Sequence, residues 1–107
     1  MARSYKNAKV DLTSTDVTTL YTCPTATVTI VTSIIVSEDS GNADTITATL
    51  TDSAAAVFSL FKVKAVSANT TVELLTRPLV VEESEILKFT AATGGRLHVV
   101  ASLLELS

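Results

Sequence analysis

The stretch of residues 27–37 limits what this chain can fold into more than any other part of the sequence. It contains six β-branched aliphatic residues and three threonines, and it has no charged residue, glycine or proline. Branched side chains pack well on a pleated surface and lose freedom in a helix, so we predict one long strand here. Such a strand would aggregate if it were left uncovered. Either the rest of the chain or another copy must cover it.

The two faces of this predicted strand differ in character. Side chains alternate along a strand, and the face that we assign to the core carries Val28, Ile30, Thr32, Ile34 and Val36. The opposite face starts with threonines but also carries Val31 and Ile35. A face exposed to solvent does not need these two apolar residues, so we expect it to be covered as well.

The last segment, Leu97–Leu106, is apolar on both faces. Leu97, Val99, Ala101 and Leu103 alternate with a second set, which is His98, Val100, Ser102, Leu104 and Leu106. A chain of 107 residues buries roughly 65% of its unfolded surface, which is enough for one core only. We therefore expect a neighbouring subunit to cover the second face. The predicted subunit interface consists of Val31, Ile35, His98, Val100, Leu104 and Leu106.

Short runs of β-forming residues separated by turn residues make up the rest of the chain. They predict strands over residues 9–13, 17–22, 45–51, 57–66, 72–75, 79–81 and 86–91. Within 57–66, Phe58 and Leu60 share one face while Phe61 and Val63 share the other, which predicts a bulge or two-sided burial. Pro78 prevents a helix in this region, and Gly94-Gly95 predicts a hairpin before the last strand.

This pattern predicts an all-β fold. About eight or nine antiparallel strands at a spacing of roughly 8 to 12 residues are typical of a β-sandwich or a jelly-roll-like barrel. We expect one such domain over residues 8–107. Residues 1–7 are polar and lack periodicity, and we interpret them as a flexible N-terminal arm or an added edge segment.

Composition and charge disfavour several classes of partner. Hydrophobic residues make up 47% of the chain and charged residues 18%, which indicates a folded protein. No apolar run approaches the roughly 18 to 20 residues of a membrane helix, and a net charge of −3 disfavours nucleic acid. The amino end lacks the apolar run of a secretory signal, and a single cysteine cannot form an internal disulfide. We therefore expect the chain to be made and folded in a cytoplasm.

Residues that usually carry catalysis or bind metals are few. His98 is the only histidine, and the sequence has no Gly-x-Ser-x-Gly motif, so we interpret His98 as a packing or interface residue. Cys23 is interpreted as a small buried thiol. The acidic segments 38–44 and 82–85 lack the spacing of a calcium loop, and we interpret them as solvated turns. We therefore predict no enzyme activity, no cofactor and no metal.

A small carbohydrate-binding β-sandwich is the alternative drawn from these residues. In such a module the loops carry the function, and Asp39, Asn42 and Asp44 are the candidate binding residues. The chain has no tryptophan, and Tyr5 and Tyr21 are its only tyrosines. They form a poor aromatic platform for stacking sugar rings.

A series of segments from Leu20 onward follows a recognisable order. It consists of Leu20-Tyr21-Thr22-Cys23-Pro24, then residues 29–36, 45–52, 68–75, 79–81, 86–88 and 102–107. This order resembles that of small β-rich structural proteins of tailed bacteriophages. The resemblance implies a virion component assembled in the host cytoplasm, often trimeric, such as a decoration (cement) protein that stabilises the head on the major capsid protein. A tail, neck or fibre accessory protein is the alternative within the same resemblance.

Overall fold

The computed structural model describes residues 2–107 and contains nine strands and no helix in that range. Accordingly, no helix there is long and apolar enough to cross a membrane. The strands are β1 (Arg3–Leu12), β2 (Thr18–Thr22), β3 (Val28–Glu38), β4 (Asp44–Thr51), β5 (Val57–Val66), β6 (Thr71–Glu73), β7 (Leu79–Val81), β8 (Ile86–Ala91) and β9 (Leu97–Leu106). Each strand predicted from the sequence is present, and β5, β7, β8 and β9 have the predicted bounds.

The strands form two antiparallel sheets that pack face to face. Sheet A has the order β1-β9-β3, and β6 and β7 pair with the remaining edge of β3 at its two ends. Sheet B has the order β2-β8-β4-β5. A five-stranded and a four-stranded sheet connected in this way, with β6 and β7 sharing one position, have the strand order of a double-sheet jelly roll. The predicted all-β sandwich is therefore confirmed.

The core lies between the two sheets and is built from alternate residues of the central strands. Leu87 and Phe89 of β8 and Leu97 and Val99 of β9 are completely buried. Burying each side chain of this size stabilises the fold by about 1.5–3 kcal/mol before entropy is subtracted. Cys23 is buried as well, beside the hydroxyl of Thr29.

A β-bulge in the middle of β3 changes which side chains enter this core. The register with β9 shifts between Val31 and Ser33, which inserts Thr32 as an extra residue. An extra residue moves all later side chains to the other face. The predicted core face is therefore right only after the bulge, at Ile34 and Val36. Before it, Val31 is buried, whereas Val28 is 42% exposed.

Glu73 of β6 binds the residues that directly follow the bulge. Its carboxylate accepts a hydrogen bond from the backbone N–H of Ile34 at 2.8 Å and another from the hydroxyl of Ser33. Burial opposes ionisation, but these hydrogen bonds and one from the N–H of Leu75 lower the pKa of Glu73. The carboxylate thus supplies an acceptor on the edge of β3 between the segment that pairs with β7 and the segment that pairs with β6.

The amino-terminal residues differ from the prediction of a flexible arm. Residues 3–7 belong to β1, which pairs with β9 along its length from Arg3↔Leu106 to Leu12↔Leu97. Without this strand, β9 would present a row of unpaired backbone groups at the edge of the sheet. The alternative interpretation, an added edge segment, describes these residues. Met1, the first residue of the predicted arm, lies outside the described residues.

Strand β5 at the edge of sheet B is irregular. Its register with β4 shifts twice near Thr47, and Val63 adopts a φ of 54° while donating its N–H to the Thr47 hydroxyl. Such a φ is unusual for a β-branched residue. The bulge predicted in this segment is confirmed. Two-sided burial is not found, since most residues of β5 are exposed.

Glu38 and Asp44, at the two ends of the predicted acidic turn, are buried rather than solvated. Burial alone would raise the pKa of Glu38. However, its carboxylate accepts hydrogen bonds from the Ser40 hydroxyl and from the backbone N–H groups of Asn69, Ser40, Gly41 and Asn42. These donors outweigh burial and lower the pKa of Glu38 to about 2. Glu38 therefore fastens two loops to the end of sheet A.

Tyr21 connects the two sheets near β1. Its hydroxyl bonds to the Thr29 hydroxyl at 2.7 Å and donates to the carboxylate of Glu105, which also pairs with Lys6 at 2.9 Å. Burial, followed by the hydrogen bond to Glu105, raises the pKa of Tyr21. The hydrogen bonds from Tyr21 and Lys6 lower the pKa of Glu105.

Replacing Glu38 is expected to change how stability depends on pH. Glu38→Gln removes an ionised acceptor, so we expect the melting temperature at pH 7 to fall by roughly 5 °C or more. Because the folded pKa is about 2 and the ordinary value is about 4.3, the contribution of Glu38 is complete above the ordinary value and is lost as pH falls toward 2. The difference from wild type should therefore narrow below about pH 4.5.

Thermal unfolding of both proteins from pH 7 to pH 2.5 measures this difference. Asp39→Asn is the matched control, since Asp39 is the next residue and its side chain is 70% exposed. The control should follow the wild-type curve. A constant difference between wild type and Glu38→Gln over the whole pH range would contradict the assigned role.

Removing the Tyr21 hydroxyl is expected to weaken the contact between the sheets. Tyr21→Phe should lower the free energy of unfolding by about 1–2 kcal/mol, because Thr29 and Glu105 lose a partner in a half-buried site. The matched control is Tyr5→Phe, since Tyr5 is 80% exposed. That variant should stay within about 0.5 kcal/mol of wild type. Equal losses for the two variants in chemical denaturation would argue against the role of Tyr21.

Candidate interaction surface

The side of sheet A that faces away from the core, called the outer face below, carries an apolar row across its whole width. The cross-strand register pairs Tyr5 with Leu104, Leu104 with Ile30, and Ile30 with Val80. Tyr5 is 80% exposed and Val80 52%, while the two central residues are half-buried. Residues paired across strands share a face and contact each other. The row therefore forms one continuous apolar strip.

Two further rows of the outer face have apolar centres and charged ends. One row runs through Arg3, Leu106 and Val28, and the other through Lys9, Val100, Ile35 and Glu73. A polar row of Asn7, Ser102 and Ser33 separates the Lys9 row from the apolar strip. In these two rows, apolar side chains thus occupy the middle and charged side chains lie toward the edges.

His98 lies at the end of the outer face between two carboxylates. Its Nε2 is 3.2 Å from Asp11 Oδ1, and its Nδ1 is 3.7 Å from Asp39 Oδ2. A catalytic histidine directs one ring nitrogen at the nucleophile and the other at an orienting group. Both nitrogens of His98 face carboxylates instead.

Five of the six predicted interface residues lie on the outer face. They are Ile35, His98, Val100, Leu104 and Leu106. The prediction for Val31 is wrong, because the bulge at Thr32 places its side chain in the core. The sequence analysis did not predict Tyr5, Ile30 and Val80 as residues of this surface, because only the pairing of distant strands places them there. That the face binds another subunit stays a prediction.

The outer face of sheet B has a different character. Its register pairs Thr47 with Thr90 and Thr49 with Lys88. These residues are half-buried and polar, as expected for a sheet face that meets water. The centre of sheet B is thus polar on its outer side, and the exposed apolar residues of this sheet lie on its edge strand β5.

The loop residues considered for carbohydrate or calcium are not arranged around a common site. Asp44 is 7% exposed, and its carboxylate accepts the N–H of Thr93 at 3.0 Å, whereas Asp39 faces His98. In the second acidic turn, Glu83 accepts the N–H of Ala26, and Glu85 accepts that of Glu82 at 2.8 Å. Within residues 2–107, no cluster of three His, Cys, Asp or Glu side chains is suited to a metal ion.

Comparison with known proteins gives a likeness in fold. No protein-family model and no curated protein matches the chain. The structure of infectious bursal disease virus Gx strain is similar, with 11% identity and a TM-score of 0.53 over 96% of this chain and 28% of that one. The structure of the Gt strain has 10% identity and a TM-score of 0.49 over 98% of this chain and 30% of that one. The chain spans less than a third of each viral chain, and at this identity the likeness shows the fold alone.

Proposed function

We propose that the chain is a non-enzymatic structural protein of a virion. More specifically, we propose that it is a decoration (cement) protein, which stabilises the head of a tailed phage by binding the major capsid protein. We also propose that it self-associates, with a trimer favoured. The observation that carries the proposal is the apolar outer face of sheet A. The core of the domain lies on the other side of the sheet, so the domain itself does not cover this face. An exposed apolar surface of this kind marks a site where a partner binds.

The fold and the sequence supply independent support. The jelly roll is a recurrent architecture of viral shells, and the fold likeness is to a chain from a virus structure. The order of segments from Leu20 onward resembles structural proteins of tailed phages. His98, the single histidine, faces Asp11 and Asp39, which favours the non-enzymatic part of the proposal.

The outer face is large enough for a specific interface. The strands β1, β9 and β3 have ten or eleven residues each, and the short strands β6 and β7 share a fourth position. At a spacing of about 4.8 Å these four positions give a face of roughly 15 by 30 Å. Burying it removes about 500 Å² from each partner, which is the lower bound for a specific complex. Binding of the oligomer to a shell adds its binding free energy to the stability of the assembled state. Such a protein acts mechanically and needs no catalytic group.

The copy number of the chain in purified particles tests the proposal. Quantitative peptide mass spectrometry against the major capsid protein is the measurement. Hundreds of copies per particle support a decoration protein that covers the lattice. A few to some tens of copies favour the tail, neck or fibre alternative, and absence from particles overturns the virion assignment.

Charge placed on the outer face is expected to break the oligomer. Leu104→Lys and Ile35→Lys should each give a folded, β-rich monomer, because a buried unpaired lysine costs several kcal/mol. Light scattering after gel filtration gives the mass, and circular dichroism gives the fold. Val57→Lys on β5 is the matched control, since Val57 is 62% exposed on the other sheet. Unchanged assembly in both outer-face variants would reject this face as the interface.

A further inference from the structure

Basic residues lie at one edge of the outer face and acidic residues at the other. A basic and an acidic residue form the two ends of the same cross-strand row. Arg3 and Lys9 on β1 pair with Leu106 and Val100. At the other edge, Glu73 pairs with Ile35, in the same row as Lys9.

Glu82 lies at the far end of the row that begins with Arg3. It follows Val81, which pairs with Thr29, so the register places it beside Val28. Val28, Glu82 and Leu106 also line one recess. Since Leu106 pairs with Arg3, the Arg3 row ends in Glu82 as the Lys9 row ends in Glu73. In these two rows the β1 edge of the outer face is therefore basic and the opposite edge acidic at matching heights, while Asp11, farther along β1, faces His98.

These charges are not neutralised within the part of the chain that the structure describes. The ion pair there joins Lys6 to Glu105, and Asp11 and Asp39 lie beside the imidazole of His98. Lys9 donates to the side-chain oxygen of Asn7, and the donors to Glu73 are a hydroxyl and backbone N–H groups. All of these partners are uncharged. The two edges thus keep complementary charges available to another copy of the chain.

We propose that the rotation axis of the homo-oligomer runs parallel to the strands of sheet A, with the outer faces turned toward the axis. Arg3 and Lys9 of one copy then meet Glu82 and Glu73 of the next copy. Rotation about an axis parallel to the strands keeps every row at its own height, so the basic edge meets the acidic edge in register. An axis across the strands would place β1 against β1 and separate these pairs. The inference rests on the proposed self-association through this face.

Three copies fit this arrangement. Three faces about 15–20 Å wide, set as a triangular prism, lie about 4–6 Å from the axis, which matches half of the 10 Å spacing of packed sheets. The apolar row of Tyr5, Leu104, Ile30 and Val80 then fills the centre of the trimer. Side chains that exclude water there strengthen the ion pairs at the rim.

Charge reversal at the Arg3 row tests the inference. Arg3→Glu and Glu82→Arg should each raise the concentration at half-assembly by about tenfold at low salt, because each creates like-charge contacts at every interface. The double variant restores the pairs and should assemble like wild type. Analytical ultracentrifugation over a dilution series measures this. Lys62→Glu on β5 is the matched control and should have no effect.

Outcomes separate this inference from the proposed function. If the single reversals assemble like wild type while Leu104→Lys dissociates, self-association through the face stands and the arrangement of rows is overturned. If wild type stays monomeric at every concentration, self-association itself fails, and the inference fails with it.

Cross-linking tests whether three copies close around one axis. In the variant carrying both Arg3→Cys and Glu82→Cys, oxidation should produce a covalent trimer on a non-reducing gel. Cys23 is only 2% exposed and does not compete. A product that ends at a dimer overturns the three-copy arrangement, and a product that stays monomeric overturns the edge contact.

Discussion

The bulge in β3 is the constraint on which both faces of sheet A depend. Val31 and Ile34 are three positions apart, which places them on opposite faces of a regular strand. Both are buried because Thr32 is inserted between them. By the same shift, Ile30 and Ile35 both lie on the outer face. One extra residue therefore gives the central strand apolar side chains on the core side and on the outer side, and the carboxylate of Glu73 binds the two residues that follow it.

Local patterns in the sequence were enough to predict the strands but not their irregularities. The bounds of β5, β8 and β9 follow from alternation and from flanking turn residues, which are local signals. The bulge in β3 has no glycine or asparagine to mark it, and its stabilising group lies 40 positions away. Likewise, Glu38 belongs to a segment that looks like a solvated turn. Its burial depends on a backbone N–H from Asn69 in another loop.

The candidate surface was predictable in part for the same reason. Two-sided apolar patterning of β9 indicated a covered outer face, and Val100, Leu104 and Leu106 lie on that face. Tyr5 and Val80 join it only through the pairing of β1 with β9 and of β7 with β3. The segment around Tyr5 is polar and gave no strand signal. Complementary charges at the two edges become visible only once the register of all five strands of sheet A is known.

Assembly through the outer face would also stabilise the first strand. β1 buries only Leu12 completely and is attached to β9 chiefly by the backbone ladder. A strand with so little apolar burial opens locally at a low free energy in an isolated domain. Arg3, Tyr5 and Lys9 supply one edge of the outer face, so a partner that binds this face binds only the state in which β1 is formed. Binding and the ordering of β1 are therefore coupled, and each favours the other by the same free energy.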